Sequence, residues 1–116
     1  MRAKLVTSLV FLIGATAAAS AHHGWGSYDS AKKFTIEAPV EMIAWQNPHA
    51  HVMLKYQDAT WEITLAPISR MQNRGLSEEM LKAGTVITAE GYPSTRREHE
   101  MRAERITVGG KVFEMR

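Results

Sequence analysis

His49, His51 and Met53 stand at alternate positions just after a Trp45-Gln46-Asn47-Pro48 turn. Side chains at i and i+2 of an extended strand share a face, so two imidazoles there can hold one metal ion that a lone ring binds poorly. Imidazole suits copper, nickel and zinc, and a thioether prefers Cu(I), so the set points to a copper ion. The bland alternative is a pair of solvated histidines beside a packing methionine, and Glu41, Ile43 and Trp45 complete the surface on which either holds.

A second histidine pair stands near the amino terminus. Arg2 and Lys4, the apolar run Leu5 to Ile13 and the small residues Ala19-Ser20-Ala21 form the pattern of a secretory signal peptide over residues 1–21. The run is too short for a membrane anchor, which needs about 18 or more apolar residues. Cleavage after Ala21 exposes His22 and His23, whose free α-amine, imidazoles and intervening amide form a strong Cu(II) chelate. The expected location is periplasmic or secreted, with no stable membrane insertion after cleavage.

Removing the leader takes Arg2 and Lys4 from the 14 basic residues and leaves 12, equal to the 12 acidic ones. A neutral chain has no electrostatic basis for binding nucleic acid. Cysteine is absent, which excludes disulfides and thiolate metal sites. No nucleophile elbow, phosphate loop or acid/base pair occurs, so the chain reads as a binding protein rather than an enzyme. His99 and the arginines 96, 97, 102 and 105 alternate with glutamates and read as a solvated charged stretch.

The elements that must position these residues follow from periodicity. Residues 22–33 read as an irregular arm pinned by Trp25 and Tyr28, and residues 34–116 as one barrel domain. Phe34, Ile36, Ala38, Val40, Met42 and Ala44 keep one parity and predict a strand facing the core, with Pro39 at an edge or bend and Ile43 and Trp45 breaking the alternation. A three-residue turn then opposes Trp45 to His49, Ile43 to His51 and Glu41 to Met53. The second strand, 49–56, sends Ala50, Val52, Leu54 and Tyr56 inward. A third strand places Trp61, Ile63 and Leu65 inward and Glu62 opposite Lys55. Pro67 opens a helical segment that stops at Gly75, with a second turn from Ser77 to Gly84. Strands over 85–92 and 101–108 follow, and Gly109-Gly110 turns the chain into a last short strand. The order is that of a mainly β, OB-fold-like barrel of five to six strands, with a short helical segment between the third and fourth.

Several segments together resemble the DUF6152 family of small exported bacterial proteins: His22-His23-Gly24-Trp25, Trp45-Gln46-Asn47-Pro48-His49, and the run from Leu81-Lys82-Ala83-Gly84 to Gly91-Tyr92-Pro93. The resemblance implies a secreted barrel of unknown function and lends no catalytic residue. Two functions stay open: a copper-binding protein using His49, His51, His22, His23 and Met53, or a module that binds an envelope protein or small non-metal ligand on a face of Glu41, Ile43 and Trp45.

Overall fold

The computed structural model describes residues 24–116; the expected leader, residues 1–21, and His22-His23 lie outside the described residues. Six strands, β1 (Phe34–Ala44), β2 (His51–Tyr56), β3 (Ala59–Thr64), β4 (Val86–Pro93), β5 (Glu100–Val108) and β6 (Lys111–Glu114), form one sheet in the order β3-β2-β1-β4-β5-β6. A parallel pairing of β3 with β5 closes the first five into a barrel, with β6 added outside β5. This is the OB-fold-like architecture that the order of elements predicts.

Strand β1 departs from the expected register. A bulge between Val40 and Met42 leaves Glu41 unpaired and reverses the parity beyond it. Ile36, Ala38 and Val40 are buried, but Met42 is exposed, and Ile43 and Trp45 pack half-buried against the core. The two residues that broke the alternation are therefore the mark of the bulge. His51 consequently pairs with Ala44 and Met53 with Met42, correcting the expected His51–Ile43 and Met53–Glu41 pairs. The connection is also longer than three residues, since β2 begins at His51, and the Asn47–Pro48 peptide bond is cis.

The next turn is tighter than expected. Gln57 and Asp58 both adopt positive φ in a two-residue loop, which sets Thr60 opposite Lys55 and Glu62 opposite Met53 rather than Lys55. Ile63 and Leu65 are fully buried as expected, whereas Trp61 and Tyr56 are half-buried and meet edge to face at 6.0 Å.

A short helix, α1 (Ile68–Asn73), follows Pro67, and its end is fixed by hydrogen bonds from Gly75 N–H to Gln72 and from Leu76 N–H to Met71. This αL stop requires positive φ at Gly75, which stands at +86°. Met71 and Leu76, together with Leu81 of the Glu78–Leu81 turn, are buried in the core. Arg70 donates to the Met115 carbonyl at 2.9 Å and ties α1 to the last residues.

One edge carries a charge network. The Lys33 ammonium lies 2.9 Å from Glu90 and 3.1 Å from Glu104, Tyr92 donates to Glu104 at 2.8 Å, and Arg105 donates to Glu90 at 2.8 Å. Lys33 and then Arg105 hold the Glu90 carboxyl below its usual range; Tyr92 and then Lys33 do the same for Glu104. A carboxylate whose pKa is depressed by folding contributes stability above its unfolded pKa, and that contribution is lost as pH falls through the folded value. Below about pH 4.5, the ordinary value, the urea midpoint should therefore fall more steeply in the native protein than in Lys33→Met. Parallel acid limbs would show that the network contributes nothing, as many exposed ion pairs do.

Candidate functional site

The barrel closure decides which outward side chains meet. In β3 and β5, Ile63, Met101 and Ala103 enter the core, so Glu62, Thr64, Glu100 and Arg102 face outward. The parallel register sets Glu62 beside Glu100 and Thr64 beside Arg102, and the β2–β3 ladder sets His51 beside Thr64. Five polar side chains of three strands thus share one patch of the barrel wall.

The patch is roofed. Trp25–Ser27 form a 3₁₀ turn, Tyr28 bridges to Ser94, Asp29 N–H donates to the Pro93 carbonyl at 2.9 Å and Thr95 N–H to the Ser27 carbonyl at 2.9 Å. Trp25 meets Tyr92 edge to face at 6.0 Å and lies between the guanidinium groups of Arg102 (4.7 Å) and Arg116 (4.6 Å). Between this arm, the loop carrying Arg96 and Arg97, and the wall is a cleft of about 410 Å³ that His49 and Pro48 also line. Ser27, Thr64, Glu100 and Arg102 are the buried polar residues among the described ones, and all four line it. Buried polar groups are costly unless satisfied, so their concentration in one concave place is the strongest mark of a site.

The groups are linked. His51 Nδ1 is 3.1 Å from Glu62 Oε1 and 3.3 Å from the Thr64 hydroxyl, which donates to Glu100 at 3.4 Å. A proton on Nδ1 satisfies both neighbours and leaves the Nε2 lone pair for a ligand, an orienting contact common for metal-bound imidazoles. Tyr28 also donates to Glu100 at 3.5 Å, and Arg97 lies 2.9 Å from Glu62 and 3.5 Å from Glu100. Burial, and then the Glu100 charge, raise the Tyr28 phenol above its ordinary pKa. Burial lowers the Arg102 guanidinium, which starts from so high a value that it stays a cation. Its Nη2 is 3.4 Å from His49 Nε2.

The structure therefore brings His49 and His51 into one cleft but leaves the rest of the expected set elsewhere. Met53 does not line it; Met53 pairs with Met42 and Glu62 on the ladders. Glu41 is exposed at the bulge, 3.9 Å from Lys55, and Ile43 and Trp45 serve the core instead of a free face. His22 and His23 lie outside the described residues. His99, at φ +56°, stands edge-on to Trp61 at 5.4 Å, outside the cleft. Among the described residues no group of three or more His, Cys, Asp or Glu is disposed to hold a metal ion.

Sequence reasoning gave the arm and its Trp25 and Tyr28 pins but read Arg102 as part of a solvated charged stretch and missed Glu100, Thr64 and Glu62 as lining residues. One signal was available: a barrel closed by parallel β3–β5 pairing must bring the polar parity of both strands together. The interleaved arginines and glutamates hid it, because β5 alternates Glu100 and Arg102 with Met101 and Ala103 as a half-buried strand does.

No curated protein matches the chain. Among solved structures it is similar to the crystal structure of the ZRD-deleted mutant of TiaS in complex with agmatine, with a TM-score of 0.54 and 13% identity. The match covers 75% of this chain and 27% of that one, so this chain spans little more than a quarter of its length, and the likeness shows the fold alone. The model of DUF6152, a family of unknown function, matches residues 10–103, and the chain belongs to that family.

Proposed function

We propose that this is an exported, non-catalytic copper-binding protein whose site is formed by His49 and His51 and completed by the mature amino terminus. The observation that carries the reading is that both histidines line the cleft roofed by the arm. The described part of the arm, from Gly24 on, covers the site, and His22 and His23 are the two residues before it in the sequence. Two imidazoles alone make an incomplete sphere, and the terminal amine, amide and imidazoles supply the nitrogen donors that copper favours.

Both halves are needed on this reading. Titration of the mature protein with Cu(II) should give one equivalent per chain, and His49→Ala with His51→Ala should weaken it by about tenfold or more, the scale on which perturbed metal sites lose affinity. His22→Ala with His23→Ala should weaken it comparably, since both imidazoles of the terminal half are removed. Unchanged affinity in either would remove that half from the site.

A second reading is favoured by the cleft's charge. Arg96, Arg97 and Arg102 outnumber Glu62 and Glu100 along its lining, which suits a small non-metal ligand better than a bare cation.

A further inference from the structure

We infer that the cleft binds a small oxyanion, a carboxylate or a phosphate, against Arg102 and His49, and that it does so without metal. This goes beyond the copper reading and gives the second reading its ligand class. Arg102 is the anchor. It is 4% exposed, its guanidinium stands over the Trp25 ring at 4.7 Å and near Tyr28 at 5.9 Å, and its Nη2 reaches His49 Nε2 at 3.4 Å. A guanidinium fixed by ring contacts presents a rigid fork of N–H groups, which matches the paired oxygens of a carboxylate or phosphate better than any lysine does.

The carboxylates of the cleft have partners besides Arg102, which also feels the Glu100 charge. Glu100 Oε1 takes contacts from Tyr28, Thr64 and Arg97, and Glu62 is held between His51 and Arg97. Arg96 adds a third arginine at the rim, so the arginines of the lining outnumber its two glutamates. The volume of about 410 Å³ falls within the small-molecule range. It exceeds the needs of an inorganic ion, so a ligand with an organic remainder can lie toward Tyr28 and Pro48.

The test uses mature protein stripped of metal on a chelating resin and titrated with succinate or, separately, inorganic phosphate, at ionic strength held constant with sodium chloride. Intrinsic tryptophan emission is the readout, because Trp25 touches Arg102. Saturable binding is expected, and the tighter of the two anions names the source of the oxyanion. Arg102→Lys, which keeps the charge and loses the fork, and His49→Ala should each weaken binding by about tenfold, the loss of one charge-assisted hydrogen bond. Arg96→Gln, at the exposed rim, should weaken it severalfold while leaving the fold intact by circular dichroism. A response no different from that to chloride, saturation that needs copper, or equal affinity in all three variants would overturn the inference. Copper titration of the native protein separates the two readings, since absence of one binding in it refutes that reading and leaves the other standing.

Discussion

Gly91→Ala should destabilise the protein by about 3 kcal/mol, the upper range for overpacking a fixed site, and lower the melting temperature by roughly 15 °C or more for a domain of this size. A Cβ at Gly91 would stand 2.0 Å from the Arg102 carbonyl oxygen and 2.8 Å from the Ala103 Cα. Both are backbone atoms of the paired strand, so no side-chain rotation relieves the clash. Gly91 sits at the register shift in the β4–β5 ladder, where the β5 backbone leaves no room for a Cβ. The segment pushed away is the one that presents Arg102 to the cleft, so ligand binding should weaken along with stability. Calorimetric melting of the two proteins decides it, and an unchanged transition would show that the strands can part at no cost.

Arg102→Met is the second large effect, expected at about 3 kcal/mol, within the range for removing one member of a buried charged network. Methionine retains most of the apolar stem, so the loss isolates the guanidinium. That group stacks on Trp25, neighbours Tyr28 and reaches His49, so it fastens both the roofing arm and the turn that carries the first histidine. The urea midpoint should fall, and Trp25 emission should shift to the red as its ring meets water. A midpoint within error of the native value would mean that the arm is held without Arg102, by the backbone bonds from Asp29 to Pro93 and from Thr95 to Ser27.

These two positions also show what was legible in the sequence and what was not. The alternation of Ile36, Ala38 and Val40, the Pro67 and Gly75 boundaries of α1 and the Gly109-Gly110 hairpin all carry local physical signals, and each element lies where they place it. The β1 bulge was visible only as an irregularity at Ile43 and Trp45, because parity reveals a slip without saying which partner strand absorbs it. The His49–His51 pair was legible as chemistry. Its companions were not, because Glu62, Thr64, Glu100 and Arg102 meet through a parallel pairing that spans nearly 40 residues of chain. Covering of outward strand residues by an irregular arm leaves no periodic trace, so the burial of Thr64, Glu100 and Arg102 is seen only in the folded chain.

The roof gives the cleft its character. On an open strand face, His49 and His51 would be two exposed imidazoles in high dielectric. Under the arm they sit beside buried charges, where electrostatic interactions are stronger and a ligand is less exposed to competing water. The arm's attachment therefore ties the segment from Trp25 to Asp29 to the site.

Native mass spectrometry of protein produced in cells from the full sequence tests the proposed copper site most directly, because it reports the first residue and any bound metal in one spectrum. A chain beginning at His22 with one copper ion, and the copper absent from the His49→Ala, His51→Ala double variant, is the expected result. Metal-free native protein, or equal copper on both, would contradict it.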